Sequence, residues 1–297
     1  MSDIQIKSLT KSEYKKNLEN YKELVKYYDY IIFEKYKNQK HLLFYIYYYI
    51  YKGSYIYICY FYKHKVEVKE IKAFLEEIVQ EQKLNININQ KIPKLTTYEF
   101  NLYYDNLLKM HKSFHNIFTN IPYYNHNDHI SNQLTLYRGI EELHSKSIKN
   151  IEINTYSSWT SKLEQAIYFA GGKTKDSKII EKSILCIKFP KHIKILPIVE
   201  LYNYMIGHNN KYKNITLKEL SDISNEIIID EQIILNIKEI ERINLNNIKL
   251  HELDWLKEKD KEIYLIIYKC EIIYNPKKEH KEFNKIFSKS DIKKLIK

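Results

Sequence analysis

The first third of the chain repeats apolar residues with the spacing of an α-helix. Between residues 11 and 88, Leu, Ile, Tyr and Phe recur at helical intervals among charged residues, as in EYKKNLENYKELVKYYDYIIFEKY and KEIKAFLEEIVQEQ. Such spacing places the apolar side chains on one face of a helix. We therefore expect residues 1–95 to form a mainly helical region rich in Tyr and Lys.

The pattern changes further along the chain. A helical stretch, TYEFNLYYDNLLKMHKSFHNIF, precedes short apolar runs that polar loops separate: LTLYRGI, SILCIKF, NEIIID, QIILNIKEI and EIYLIIYKCEII. These runs have the length and the β-branched content of strands. They predict an α+β domain over residues 96–275, followed by a lysine-rich helical tail over residues 276–297.

Residues 157–172, SSWTSKLEQAIYFAGG, predict a short helix that follows a strand end. Ser161 and Glu164 have the spacing of an N-terminal capping box, and Gly171 ends the helical pattern. Small alanines at core-facing positions let such a helix lie close to the strands that it covers. The residues expected on the core-facing side of this helix are Leu163, Ala166, Phe169 and Ala170.

Composition makes the same region unusual. Lys, Ile, Asn and Tyr fill much of the chain, whereas it contains only five Gly, three Ala, two Arg and two Trp. An even spread would place about one of these twelve scarce residues between positions 138 and 172. Seven of them lie there: Arg138, Gly139, Trp159, Ala166, Ala170, Gly171 and Gly172. The window is therefore a candidate for chemical or steric constraint.

The net charge of +11 and the 29 Tyr do not indicate a nucleic-acid surface, because Lys is scattered and mixed with Glu. We expect no nucleic-acid partner. Cys59, Cys186 and Cys270 lie far apart and lack metal-type spacing, which favours a reducing compartment. The start MSDIQIKSLTK does not have the pattern of a signal peptide. These features predict a cytoplasmic or otherwise intracellular protein.

The segment Leu42–Tyr62 is about long enough to cross a bilayer. Lys52, Gly53 and Ser54 interrupt its middle, and its many Tyr phenols would need partners in hydrocarbon. We therefore expect a buried helix pair or hairpin that turns at these three residues, and no membrane span.

Two histidine pairs were candidates for metal ligands. His126 and His129 flank Asp128 in YYNHNDHI, and His111 and His115 are one helical turn apart. Neither pair has a further ligand cluster at a suitable spacing. We predict no metal site.

Three polar signals at predicted strand ends occur in a fixed order: LTLYRG, then SWTSKLEQAIYFA, then SNEIII. In this order and spacing the chain resembles the arginine–serine–glutamate class of ADP-ribosyltransferases, over roughly Thr97–Ile273. The resemblance implies a split β-sandwich core with flanking helices, preceded here by the helical N-terminal region. It implies mono-ADP-ribosyl transfer from NAD to a side chain of an acceptor protein, with release of nicotinamide.

The resemblance also assigns the charged residues of the reaction. Glu226 would stabilise the positive charge that develops on the ribose as the bond to nicotinamide breaks. Arg138 would bind the NAD phosphates, because its planar guanidinium makes forked contacts that Lys cannot make. Ser158 would orient Glu226 and contact the nicotinamide ribose.

Further residues would complete the NAD site by resemblance. The Gly139 backbone would hydrogen-bond the nicotinamide amide, and Thr160 would support the strand end. An aromatic ring, Tyr168 or Phe169, would pack nearby, although core burial is the competing interpretation of Phe169.

Two questions stay open at this level. The run DEQIIL could place Gln232 in the catalytic slot, but we prefer Glu226, because Asp230 and Glu231 then form the turn before the next strand. Ser224 lies two residues before Glu226, where transferases that modify arginine usually carry Glu or Gln. We therefore expect an acceptor other than arginine, or transfer largely to water, unless a nearby residue such as Asp222 substitutes. NAD hydrolysis and a catalytically inactive binding protein are the alternative functions.

Overall fold

The computed structural model describes most of the chain with gaps. The described residues are 10–28, 32–52, 66–86, 88, 94–122, 134–140, 149–153, 157–176, 178–189, 193–208, 225–229, 233–257, 261–273 and 288–296. The chain divides into two compact units, one comprising Met1–Lys35 with Pro122–Lys278 and the other comprising Tyr36–Ile121 with Glu279–Lys297.

Eight helices occur within the described ranges, and most of them lie before the first strand or at the end of the chain. They are α1 (Lys11–Tyr28), α2 (Glu34–Tyr36), α3 (Lys40–Lys52), α4 (Val68–Gln82), α5 (Thr97–Asn120), α6 (Leu163–Phe169), α7 (Ile198–Gly207) and α8 (Lys289–Leu295).

Nine strands form one mixed sheet within the same ranges. They are β1 (Thr135–Ile140), β2 (Asn150–Ile153), β3 (Ser157–Thr160), β4 (Gly172–Asp176), β5 (Ile179–Lys188), β6 (Ile195–Pro197), β7 (Glu226–Ile229), β8 (Ile233–Asn244) and β9 (Glu262–Ile273). Their order across the sheet is β2-β8-β9-β5-β1-β3-β7-β6, with β4 paired to β5. Short 3₁₀ segments at Leu245–Asn247 and His251–Leu256 connect β8 to β9.

The sheet has one weak seam, between β1 and β3. Over the described residues these strands pair at a single position, where Tyr137 lies opposite Thr160. By contrast, β1 pairs with β5 along its whole length, from Thr135 to Ile140. We call the Tyr137–Thr160 pair, together with the unpaired strand ends on either side of it, the β1–β3 junction.

Apolar side chains of the first unit fill the space between the sheet and its helices. Trp159 and Ile227 on neighbouring strands are almost fully buried, as is Leu201 of α7. A second group packs α6 and the segment after β8 against the sheet: Leu163, Ala166, Ile167, Ala170, Ile184, Leu245, Leu253 and Leu265. These contacts hold α6 against β1, next to the β1–β3 junction.

The second unit is a helical core rich in aromatic rings. Tyr48 of α3 stacks on Phe74 of α4 with ring centroids 3.7 Å apart, and Tyr103 of α5 meets Phe74 edge to face. A capping box of Thr96 and Glu99 begins α5. These rings explain why Tyr is spaced helically in this part of the sequence.

The predicted α+β class and the helical N-terminal region are confirmed, and the strand-like runs of the sequence are β1, β5, β7, β8 and β9. The predicted domain boundaries at residues 95 and 275 stay a prediction. The compact units group α1 with the sheet. No helix among the described residues has the length and apolarity needed to cross a membrane. The predicted turn at Lys52–Ser54 extends outside the described residues.

Candidate active site

Arg138 lies on β1 within the β1–β3 junction, one residue after Tyr137. Its Nη1 atom donates a hydrogen bond to the carbonyl oxygen of Ser158 on β3 at 2.8 Å. The strands are not paired at this level, so the guanidinium takes the place of a backbone partner for that carbonyl. The Nε atom of Arg138 is buried and has no hydrogen-bond partner among the described residues. The Nε atom of Arg138 is therefore a buried hydrogen-bond donor to which no described residue offers an acceptor.

Ser158 and Glu226 meet across β3 and β7. In the register of these strands Thr160 lies opposite Glu226, and Ser158 lies opposite Ile228. Ser158 is therefore the diagonal neighbour of Glu226, within reach of a longer side chain. The Ser158 side chain is hydrogen-bonded to the Glu226 carboxyl. The structure thus brings Arg138, Ser158 and Glu226 together from three strands.

The electrostatic surroundings of Glu226 favour a proton near neutral pH. Burial raises the pKa of the Glu226 carboxyl to about 7, while the hydrogen bond from Ser158 and the positive charge of Arg138 act in the opposite direction. The loss of water around the carboxyl outweighs these two partners, although the Glu226 side chain is only half-buried. Glu226 therefore changes its charge near neutral pH.

A second carboxyl, which the sequence did not single out, lies beside the first. Glu200 is in the first turn of α7, and α7 follows directly from Pro197, which pairs with Ile227 next to Glu226. Burial raises the pKa of Glu200 to about 7 and the charge of Glu226 adds to it, while Lys162 lowers it. Because β6 has only three residues, no pattern in the sequence predicts that Glu200 lies near Glu226.

Tyr21 of α1 completes the surroundings of this second carboxyl. Its phenol is buried beside Glu200, and burial together with the charges of Glu200 and Glu226 raises the pKa of Tyr21 well above its ordinary value. Within the described part of the chain, the Tyr21 hydroxyl and the Glu200 Oε2 atom do not meet the geometry of a hydrogen bond. The phenol of Tyr21 and the carboxyl of Glu200 are therefore close neighbours.

Gly139 has a steric role on the helix side of β1. A Cβ atom at this position would lie 2.2 Å from the Ala166 carbonyl oxygen and 2.5 Å from the Ala170 nitrogen. Both atoms belong to the backbone at the end of α6, so neither can move aside cheaply. The glycine lets α6 approach the strand that carries Arg138. The predicted contact between the Gly139 backbone and nicotinamide stays a prediction.

Thr160 lies at the end of β3. Its side chain is almost buried, and its Oγ1 atom accepts a hydrogen bond from the Lys162 nitrogen at 3.0 Å. This bond turns the chain from β3 into α6. A direct contact between Thr160 and NAD stays a prediction.

The core interpretation of Phe169 is wrong. Its side chain is 67% exposed, and Tyr168 beside it is 59% exposed. The helical face that packs on the sheet carries Ile167 in addition to Leu163 and the two alanines. The buried apolar positions of α6 follow the i, i+3, i+4, i+7 spacing of one helical face, and Phe169 lies outside that spacing. Its ring is available to a ligand, and the predicted role in the NAD site stays a prediction.

The capping-box interpretation of Ser161 and Glu164 is also wrong. The N-cap of α6 is Lys162, without a side-chain cap. The Glu164 carboxylate instead accepts a hydrogen bond from the buried Tyr14 hydroxyl, 2.7 Å from each oxygen, and the Ser161 hydroxyl accepts one from Asn225 Nδ2 at 2.8 Å. Both side chains therefore form hydrogen bonds with residues far away in the sequence rather than with the start of α6.

Several candidates lie outside the described residues. These are the acceptor-side Ser224 with Asp222, the alternative catalytic Gln232 with Glu231, and the histidine pair His126 and His129. His111 and His115 are described within α5. In the ranges that the structure covers, no group of three or more His, Cys, Asp or Glu side chains could hold a metal ion.

No protein-family model and no curated protein matches the chain. Among solved structures, the ADP-ribosyltransferase Vis toxin of Vibrio splendidus is similar, with a TM-score of 0.41 and 11% identity over 90% of this chain and 88% of that chain in its complex with the M6 inhibitor. The catalytic domain of VsdC from Aeromonas hydrophila gives a TM-score of 0.34 and 11% identity over 78% of this chain and 100% of that domain. These scores are too low to carry an argument, so function is inferred from the residues of this chain.

Proposed function

We propose that this chain is an NAD-dependent mono-ADP-ribosyltransferase. The observation that carries the proposal is the meeting of Arg138, Ser158 and Glu226 at the β1–β3 junction. These residues lie in the three motifs that resemble the arginine–serine–glutamate class, and 88 sequence positions separate the first from the last. Their convergence supports the residue roles that the motifs imply.

Arg138 would hold the phosphates of NAD. One guanidinium nitrogen is committed to Ser158, which fixes the plane of the group, while Nε is buried and unpartnered with respect to the described residues. A buried donor without a partner is costly unless a ligand provides an acceptor. A phosphate oxygen is the acceptor that a guanidinium fork suits best.

Glu226 would act on the nicotinamide ribose. In its ionised form the carboxylate opposes the positive charge that develops at C1′ as the C1′–N1 bond to nicotinamide breaks. The nucleophile of the acceptor protein then forms a bond to C1′ and loses a proton, while nicotinamide leaves with the electron pair of the broken bond. Ser158 holds the carboxylate in place through its hydrogen bond.

Hydrolysis of NAD is the second candidate function, because the same donor site serves water as the nucleophile. Ser224 favours this alternative, or an acceptor other than arginine, since a short neutral hydroxyl cannot pair with an incoming guanidinium. The acceptor protein is therefore the undefined partner in the proposal, and NAD is the substrate that both candidates share.

Incubation of the protein with labelled NAD and a cell lysate tests the proposal. We expect label on proteins, and the matched variant Glu226→Gln should leave them unlabelled. Release of free ADP-ribose without labelled protein would support hydrolysis, and neither product would overturn both enzyme functions. Mass spectrometry of the labelled proteins then tests the role of Ser224, because ADP-ribose found mainly on arginine would contradict it.

A further inference from the structure

One face of α1 carries three polar side chains that contact the sheet unit. Tyr14, Asn17 and Tyr21 are buried and follow helical spacing. Tyr14 donates to Glu164 of α6, and Tyr21 lies beside Glu200 of α7. Asn17 reaches the strands themselves. The helix thus contacts elements on both sides of the candidate site.

Asn17 uses its whole side-chain amide at the β1–β3 junction. Its Nδ2 atom donates to the carbonyl oxygen of Thr135 at 3.0 Å and to that of Ser161 at 2.9 Å. Its Oδ1 atom accepts from the Thr135 nitrogen at 2.6 Å. Thr135 begins β1 and Ser161 follows the end of β3, so one amide joins the two strands where they no longer pair with each other.

Side chains link β1 to β3 on both sides of the Tyr137–Thr160 pair. On one side of the Tyr137–Thr160 pair, the Asn17 amide links β1 to the end of β3. On the other side, the Arg138 guanidinium links β1 to Ser158 of β3. Both links are side chains that replace backbone pairing. The separation of β1 from β3 therefore depends on Asn17 as well as on Arg138.

We infer that Asn17 is a positioning residue for the NAD site, because it sets the distance between the strand that carries Arg138 and the strands that carry Ser158 and Glu226. The inference depends on the proposed function. Asn17 has one acceptor and two donors in use, and neither Asp nor Ser offers that combination at the same reach. Displacement of reacting groups by about 1 Å can reduce a rate ~100-fold, so a small change in strand separation is enough to matter.

The test compares variants on the same helix. Asn17→Ala removes the three hydrogen bonds, and Asn17→Leu removes them while keeping most of the volume. Asn20→Ala is the matched control, because the Asn20 amide nitrogen is buried and makes no hydrogen bond with any described residue. Tyr14→Phe is the stability control, since it removes the bond to Glu164 and leaves the junction unchanged.

The measured quantities are the kcat/KM for NAD cleavage across pH and the Tm. Both Asn17 variants should lower kcat/KM at least ~10-fold, against less than ~2-fold for Asn20→Ala. Their acid limb should move to higher pH, because Arg138 lowers the pKa of Glu226 and would lie further from it. Among the described residues, the other ionisable groups near this pair are Glu200, Tyr21 and Lys162, which the Asn17 variants do not change. Tyr14→Phe should lower the Tm without moving the limb.

The results of these measurements distinguish failure of the proposed function from failure of the positioning role of Asn17. A wild-type protein that neither binds nor cleaves NAD would overturn the proposed function, and the positioning role with it. An active wild-type protein with Asn17 variants that keep kcat/KM within ~2-fold, or that lose it without a shift of the acid limb, would overturn the positioning role alone.

Discussion

Two regions of the sheet are held together in different ways. Backbone pairing between β8 and β9 runs from Ile234–Ile273 to Asn244–Tyr264. At the β1–β3 junction the described residues pair at one position, and the Asn17 and Arg138 side chains supply the other links. A ladder of backbone hydrogen bonds forms whichever side chains the strands carry. The links at the junction, by contrast, require the particular side chains of Asn17 and Arg138. Side chains rather than backbone groups therefore complete most of the contact between β1 and β3.

The two arginines of the chain illustrate the same difference. Arg242 lies on β8, where its Nε atom is 3.3 Å from Glu181 and its guanidinium is 3.5 Å from the centre of the Tyr264 ring. Its ion pair and its stacking partner are both within the protein. The Nε atom of Arg138 has no such partner in the described part of the chain. The two scarce arginines therefore differ in their tertiary contacts, and this difference supports a packing role for Arg242 and the proposed binding role for Arg138.

The largest expected effect is on catalysis at the junction. Glu226→Gln keeps the size of the side chain and removes its charge, so the rate of nicotinamide release should fall at least ~100-fold, or about 2.7 kcal/mol, with little change in NAD affinity. The matched control is Glu239→Gln on β8, where Glu239 pairs with Lys269 at the surface. Equal rates for Glu226→Gln and the wild-type protein would remove Glu226 from the reaction.

Gly139→Ala should be the most destabilising of the small substitutions. The new Cβ would lie 2.2 Å from the Ala166 carbonyl oxygen, so β1 and α6 must separate, at a cost of about 3 kcal/mol in the free energy of unfolding. Gly207 at the end of α7 has no atom within 4 Å of the corresponding position. Denaturant unfolding should therefore show Gly207→Ala at or above wild-type stability, and equal losses for both variants would contradict the steric role of Gly139.

Replacement of each arginine by lysine compares the two regions directly. Arg138→Lys keeps the charge but loses the fork, and it should weaken NAD binding by about 1 to 3 kcal/mol. Arg242→Lys should leave NAD affinity unchanged, because Arg242 contacts Glu181 and Tyr264 on the continuous part of the sheet. Calorimetric measurement of the NAD affinity of both variants and the wild-type protein tests this difference. Similar affinity for the wild-type protein and Arg138→Lys would place the phosphates elsewhere.

The smallest expected effect is the pH dependence of stability. Burial raises the pKa of Glu226 from 4.5 to about 7 on folding, so the folded state keeps a proton that the unfolded state releases between these values. The free energy of unfolding contributed by this group therefore falls as pH rises through that window. Glu226→Gln should match the wild-type protein at pH ~4.5 and be more stable than the wild-type protein at pH ~8.

Chemical denaturation at the two pH values measures this difference, with Glu239→Gln as the control for removal of a surface charge. A constant difference between Glu226→Gln and the wild-type protein at both pH values would show that Glu226 is not protonated on folding. The same variant is thus expected to gain stability at pH ~8 and to lose activity, as is common where a buried charge serves function.

Local patterns in the sequence were enough for the elements and for part of the site. The apolar periodicity predicted the helices before residue 121, and the β-branched runs predicted the strands that carry Arg138 and Glu226. The order of the three motifs selected the residues that the fold then brings together at the junction. Residues close in sequence share one backbone conformation, so periodicity and motif spacing report it directly.

Tertiary structure alone decided the partners of those residues. Asn17 and Glu200 lie 121 and 26 positions from Arg138 and Glu226, and no local pattern distinguishes them from other polar residues on amphipathic helices. Phe169 faces solvent, because the buried face of α6 passes through Leu163, Ala166 and Ile167 instead. The burial of a helix face or of a carboxyl depends on the elements that pack against it, and these elements can lie far away in the sequence. Those contacts, rather than the residue types, raise the pKa of Glu226 and leave the Nε atom of Arg138 without a partner among the described residues.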